Sequence, residues 1–504
     1  MPRYGVVPAL MATQHPDSAY KYFTVEEEVK ETLQDLIPLD KGGYGCDEKM
    51  IDYEGKLTPF LQPRWIIKQM HEKLKESVIP EKDFVLSIRV PSADLESIDK
   101  QILALLAGIL ANIESEKLYE KQATKYVIHP MTYNVRQLVA VQRRVNKLLN
   151  LAREELGLPK EEDIEVIPLI EDVRIMFDID EFIKCFRTHL SSSLGIYRDS
   201  IRVLLGKSDS ALAYGHLSSV IGLKVALWKL NLLSEKEGLT VYPIIGSGAL
   251  PFRGHLSPYN IKNFVKEYQG YFTVTIQSGF RFDFPRNEVI KALKVLIEGI
   301  GKPPRHFNDL SKIRKACKII TEEYLKGILP SLEVISEIAD LMPKRRERLG
   351  RATYGRTLDT VLHFVGNELR SRITKLHLFL PRAIRYTAAL YTIGVPPTFI
   401  GTGRGLYRIK DIMDTLIDLY PSLKTDLMFD AQYLCLDIAS KYLSPKSIKL
   451  IEEDYKLLME YFDIDISPDP HYRKLLTRIR ENISKGMEIV SLVNEAARIR
   501  RSLG

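Results

Sequence analysis

Two acidic residues, Glu171 and Asp209, each follow a short apolar run. Glu171 comes after Pro168-Leu169-Ile170, and Asp209 sits in Gly206-Lys-Ser-Asp-Ser210 behind the run 201–205. Paired carboxylates with few His or Cys nearby suit a hard divalent cation such as Mg²⁺ or Mn²⁺, which keeps several waters and takes substrate oxygens. On residue type alone, the same acids equally cap the helices that follow or pair with Lys and Arg. Two loops offer anion chemistry. Gly246, Gly248 and Gly254 let backbone N–H groups approach an anion, and Arg253 adds a planar fork for carboxylate or phosphate. Gly401-Thr-Gly-Arg404-Gly405 repeats the pattern, and there a tight turn with a structural arginine is the favoured reading. Arg89, His129-Pro-Met-Thr132 and Gln277-Ser-Gly-Phe-Arg281 close further apolar runs. His15 lies in Ala12-Thr-Gln-His-Pro-Asp17, where residue type alone reads it as structural. His129 and His216 read the same way, while the position of His255 just after Arg253-Gly254 brings it nearer a site.

These residues need a scaffold that gathers them. Eight apolar runs, at 49–52, 84–90, 126–129, 164–170, 201–205, 241–245, 273–276 and 397–400, are mostly continuous rather than alternating, the pattern of parallel strands covered on both faces. Amphipathic stretches such as 138–156 and 211–233 lie between them, and Thr24 with Glu27 starts a helix over 25–36 with a capping box. The reading is an α/β fold, a (β/α)₈ TIM-type barrel with extensive additional helices, in one catalytic domain of 1–504. Barrel strands fall within roughly 45–405, a helical insertion at about 305–395 and a helical C-terminal region at about 406–504. Active sites of such barrels lie at the carboxyl ends of the strands, where these polar residues cluster.

Composition narrows the function classes. At 504 residues the chain is 45% hydrophobic and 27% charged, which is globular rather than disordered. Seventy-two Lys+Arg against 65 Asp+Glu leave a net charge of +7, consistent with local anion sites and no nucleic-acid tract. The densest basic patch, Lys344-Arg345-Arg346-Glu-Arg348 with Arg351 and Arg356, lacks interleaved aromatics and reads as a solvated helix face or a subunit contact. The longest apolar run, 102–111, is far short of the ~20 residues of a membrane span. Residues 5–12 carry one nearby Arg, an internal Pro and no cleavage context, so they are not read as a leader. Four widely spaced cysteines form neither a zinc pattern nor a disulfide framework and fit a cytoplasmic protein.

Together, Ala12-Thr-Gln-His-Pro-Asp17, Gly45-Cys-Asp-Glu48 with Asp52-Tyr-Glu-Gly-Lys56, Gly206-Lys-Ser-Asp-Ser-Ala211 and Gly246–Gly254 resemble archaeal-type phosphoenolpyruvate carboxylase, collinearly from about residue 11 to the C-terminus. The resemblance implies a homotetramer that converts phosphoenolpyruvate and bicarbonate irreversibly to oxaloacetate and phosphate. The route passes through carboxyphosphate and a metal-held pyruvate enolate, with Mg²⁺ or Mn²⁺ and without biotin. By the same resemblance His15 is the catalytic histidine, and Glu171 and Asp209 are the metal carboxylates. Arg253 and Arg89 are catalytic arginines. Arg253, Gly246, Gly248, Gln277, Arg281 and Arg345 (or Arg346) bind substrate.

The chain departs from the longer family members at three places. Leu212 stands where they carry a lysine, and Ser247 and Ile245 stand where they carry an arginine and a histidine, so Lys207 or another cation is expected to compensate. The end Arg-Ser-Leu-Gly504 does not reproduce theirs, so the resemblance leaves aspartate inhibition open. Two rivals remain: another divalent-metal barrel lyase that stabilises an enolate (aldolase- or citrate-lyase-like), and a non-catalytic anion- or RNA-binding scaffold. Bicarbonate dependence separates the first, and salt-sensitive binding without turnover marks the second.

Overall fold

The computed structural model describes residues 7–16, 24–160, 163–343, 358–376, 380–464 and 467–504. Eight parallel strands close into a barrel in sequence order: β1 Leu10–Thr13, β2 Glu48–Asp52, β3 Val85–Arg89, β4 Thr124–His129, β5 Glu165–Ile170, β6 Ser200–Gly206, β7 Thr240–Gly246 and β8 Thr273–Ile276. Closure is made by β1 against β8, with Leu10 opposite Val274 and Ala12 opposite Ile276. Each strand is followed by a helix: α1 Val25–Leu36, α2 Gln62–Leu74, α3 Ile98–Tyr119, α4 Val135–Glu155, α5 Ile179–Leu194, α6 His216–Lys236, α7 Ile261–Glu267 and α8 Arg286–Glu298.

The strands look continuously apolar because their two faces fill two different cores. Met11, Met50, Val85, Ile128, Ile167, Leu169, Leu204 and Ile244 pack inside the barrel, while neighbours such as Leu10, Ile51, Ile88, Val166, Val203 and Ile245 join the shell under the helices. One ion pair is buried inside the barrel. Arg202 grips Glu48 at 3.2 and 2.7 Å, and its guanidinium lies over the Tyr126 ring at 4.3 Å.

Seven of the expected strands are present with small shifts of their ends, and the eighth is not where the sequence reading put it. Residues 397–400 form turns, with Phe399 N–H donating to Pro396 O and Ile400 N–H to Pro397 O. Pro396 and Pro397 have no N–H to give to a ladder, so this apolar run folds locally. The missing strand is β1, inside the segment with leader-like hydropathy. The barrel therefore closes over residues 10–276 rather than 45–405, and the helices from Leu310 onward follow the last strand instead of interrupting the barrel. They pack onto its carboxyl end: Tyr324 O–H donates to Leu212 O at 2.9 Å, and Ser218 O–H donates to Cys317 O at 2.9 Å.

Helix α1 begins at the expected box, Glu27 N–H donating to Thr24 Oγ1 at 3.1 Å and Thr24 N–H to Glu27 Oε2 at 3.0 Å. The expected helix 211–233 is two. Gly215, at φ +82°, separates the helix Lys207–Tyr214 from α6, and a Cβ there would lie 2.7 Å from the Tyr324 ring. By length and composition α6 could cross a membrane, yet 72% of that stretch is buried inside the fold.

Candidate active site

A cavity of about 650 Å³ opens at the carboxyl ends of the strands. His15, Arg89, Glu171, Asp209, Gly246, Gly248, Arg253 and Gln277 all line it, from six different strand ends.

Glu171 follows β5 and accepts from Met131 N–H at 3.3 Å. Its neighbour Asp172 takes the structural task, accepting from Arg174 N–H at 2.8 Å at the next helix start and from Tyr214 O–H at 2.7 Å. The end of β6 is shaped around Glu171, because a Cβ on Gly206 would lie 2.8 Å from Glu171 Cγ. Asp209 lies in the first turn of Lys207–Tyr214. Its neighbour Ser210 turns back to donate to Gly206 O and Lys207 O at 2.9 Å each. In each acidic motif, one residue serves the backbone and one reaches the cavity.

Arg253 is buried in the loop after β7. Its Nε donates to Ser208 Oγ and its Nη2 to Gln277 Oε1, both at 3.0 Å, and its Nη1 donates to Gly504 O. Burial lowers its pKa to about 10, with the charge of Asp209 opposing. Gly254, at φ +114°, turns the chain, and a Cβ there would lie 2.6 Å from Ser247 Oγ. Arg89, at the end of β3, is held by Asp52 through Nε at 2.8 Å and Nη2 at 2.7 Å, and by Glu54 at 3.0 Å. Lys56 Nζ lies 2.9 Å from Asp52, and Arg382 Nη2 lies 3.2 Å from Glu54. Arg89, Lys56 and Arg382 thus meet on this wall, held by Asp52 and Glu54.

His15 follows β1 and is almost fully buried. Its Nδ1 lies 2.7 Å from Glu31 Oε1, and its ring stacks on Phe282 with centroids 5.1 Å apart. Burial pushes its pKa below the ordinary imidazole value, with Glu31 opposing that shift and Arg281 and Lys49 adding to it.

Several expectations need correcting. Arg281 does not line the cavity. It is fully buried behind His15, with Nη2 2.6 Å from Glu31, Nη1 2.9 Å from Asp35 and a bond from Nη2 to Thr13 O at 2.8 Å. Lys207 supplies no cation to the cavity either, since its Nζ donates to Phe252 O at 2.8 Å and burial lowers its pKa to about 7. Arg404 is structural, as its loop was read: it pairs with Glu323 and Asp454, both at 2.9 Å, as an internal joint between helices. His255, read as nearer a site, instead pairs with Asp426 away from the cavity, whereas His129 bonds Thr132 and His216 bonds Tyr420 in the structural roles read for them. Arg345 and the rest of the basic patch lie outside the described residues.

The cavity also contains residues given no role above: Lys56, Arg382, Arg385, Arg498 and Arg501. Lys56 stands in a motif already noted, whereas the four arginines come from helices beyond the barrel or from their caps and carry no local signal. Met50, Leu169 and Leu204 are the apolar residues at the barrel end of the cavity.

Fold and cavity define the class: a parallel (β/α)₈-barrel protein with an acid-and-arginine site at the carboxyl ends of its strands. The chain matches the family described as phosphoenolpyruvate carboxylase over residues 7–504 and belongs to that family, in its archaeal form. Phosphoenolpyruvate carboxylase of Methanosarcina barkeri (strain Fusaro / DSM 804) is 34% identical over 100% of both chains. That of Methanopyrus kandleri (strain AV19) is 36% identical over 98% of each. Among solved structures, Haloferax volcanii malate synthase in its pyruvate/acetyl-CoA ternary complex aligns with 85% of this chain and 99% of its own, at a TM-score of 0.40 and 9% identity.

Proposed function

We propose that this chain, as one catalytic unit, carboxylates phosphoenolpyruvate with bicarbonate to give oxaloacetate and phosphate. The observation that carries the reading is that one cavity collects His15, Arg89, Glu171, Asp209, Arg253 and Gln277 at the carboxyl ends of the barrel strands. Glu171 and Asp209 would hold a divalent cation, Mg²⁺ or Mn²⁺. Among the described residues no cluster of three or more His, Cys, Asp and Glu could close a coordination sphere, so substrate oxygens and water would complete it, as hard cations prefer. Held there, such an ion would supply positive charge for the phosphate and enolate oxygens.

Arg253 and the Arg89–Lys56–Arg382 wall bind and orient the phosphate and carboxylate of the substrate. A bicarbonate oxygen attacks phosphorus, the bond from phosphorus to the enol oxygen breaks, and carboxyphosphate and pyruvate enolate form. Phosphoryl transfer of this kind rests on positioning and charge stabilisation rather than on covalent chemistry by the protein. His15 takes the carboxyl proton of carboxyphosphate, the bond from carbon to the phosphate oxygen breaks with its electron pair leaving on phosphate, and CO₂ is released. The enolate carbon attacks CO₂ to give oxaloacetate. The apolar side chains Met50, Leu169 and Leu204 keep water from protonating the enolate to pyruvate.

The reading includes a homotetramer without biotin. It also includes a cytoplasmic location, which the four free cysteines, three of them buried, support. A coupled assay tests it. Oxaloacetate and phosphate should appear in equal amounts and only with bicarbonate, whereas bicarbonate-independent turnover would point to another enolate-stabilising lyase.

A further inference from the structure

The group behind His15 is built as carefully as the cavity in front of it. Helix α1 presents Glu31 and Asp35 one turn apart, both fully buried, to Lys49 of β2 and to Arg281 of the helix Ser278–Phe282. Lys49 Nζ lies 2.6 Å from Asp35 and 3.6 Å from Glu31, and Arg281 bridges the same two acids. None of Glu31, Asp35, Lys49 or Arg281 lines the cavity, so the mechanism above does not use them.

We infer that Glu31 is the positioning residue of His15: its carboxylate takes the Nδ1–H, holds the ring with Nε2 toward the cavity, and stabilises the imidazolium formed when Nε2 accepts the proton of carboxyphosphate. This rests on the reading of His15 as the base. An ionised carboxylate only accepts hydrogen bonds, so a Glu31 kept ionised by Arg281 and Lys49 requires the proton on Nδ1 and leaves Nε2 as the basic nitrogen. Burial alone pushes the Glu31 carboxyl up, but Lys49, His15 and Arg281 together hold it well below the usual carboxylate range. The rest of the setting fixes the ring. Phe282 stacks on it, Lys56 Nζ donates to His15 O at 3.4 Å, and Arg281 ties the end of β1 through Thr13 O. Among the described residues, the charged groups facing the imidazole are Glu31 from α1, Lys49 from β2 and Arg281 from its own short helix. Of these three, Glu31 favours the protonated ring.

The test is Glu31→Gln in the full-length enzyme, beside His15→Asn. Glu31→Gln removes the charge that raises the pKa of His15. The kcat for oxaloacetate should fall about 10²- to 10⁴-fold, the range lost when a histidine base loses its anionic partner. The KM for phosphoenolpyruvate should change less than about threefold. The acid limb of the pH–rate profile should move to lower pH, and Glu31→Asp, which keeps the charge, should recover about tenfold or more of the loss. Should Glu31→Gln not fold with two cations facing only Asp35, Glu31→Gln/Lys49→Met restores the balance, and the same profile is read from it. An unchanged kcat and acid limb in the folded variant overturns the role of Glu31. Full oxaloacetate formation by His15→Asn overturns the reading of His15 instead.

Discussion

Gly248 and Arg253 lie against each other: a Cβ on Gly248 would stand 2.6 Å from the guanidinium carbon of Arg253 and 2.9 Å from its Nη2. The glycine is there because the arginine occupies the space its side chain would need. Gly248→Ala should therefore displace the Arg253 fork, raising the KM for phosphoenolpyruvate about tenfold or more. Steady-state kinetics with phosphoenolpyruvate as the varied substrate read this directly.

Arg253 spends its donors in three directions, on Ser208, Gln277 and the Gly504 carbonyl. Arg253→Lys keeps the charge and loses the planar fork. A fall in kcat/KM of about 10²-fold is expected from the loss of oriented donors in a buried site. Near-normal turnover would show that charge alone suffices.

Asp209→Asn removes one of the two carboxylates proposed to hold the cation while leaving its neighbour Ser210 to hold the helix start. The concentration of Mg²⁺ or Mn²⁺ giving half-maximal activity should rise at least ~10-fold, the scale of losing a metal ligand or its partner. Titration of the metal against rate measures it, and an unchanged dependence removes Asp209 from the ligand set.

Lys207 is buried with its pKa lowered to about 7, burial being the cause. An unfolded lysine titrates near ~10.4, so between these values the unfolded chain binds a proton that the folded one does not, and stability rises with pH. Urea unfolding of the natural chain relative to Lys207→Met should gain up to ~1.4 kcal/mol per pH unit between pH ~7 and ~10, and a flat difference would contradict it.

Much of this architecture is legible in the sequence because seven strands fill two apolar cores and so read as uninterrupted runs. Strand β1 is only four residues long and follows Pro8 in a stretch with leader-like hydropathy, so its pattern alone cannot separate the two. Residues 397–400 have the right hydropathy, but their prolines bond locally. The site divides the same way. Glu171, Asp209 and Arg253 sit immediately behind strands, where order along the chain predicts position in space. Arg382 reaches the cavity from a helical region that folds back over the barrel, a long-range event with no local signature. Arg281 closes the run 277–281, for which the resemblance implies substrate binding, yet its side chain turns toward α1 to meet Glu31 and Asp35. Those two acids look like ordinary polar positions of an amphipathic helix until the basic partners arrive.

In the proposed reaction, bicarbonate itself attacks the phosphorus of phosphoenolpyruvate in this cavity. Turnover with bicarbonate labelled with ¹⁸O in all its oxygens, followed by mass analysis of the products, tests it most directly. Each phosphate released should carry one labelled oxygen, delivered by that attack. Phosphate released without label, while oxaloacetate forms at the normal rate, would contradict it.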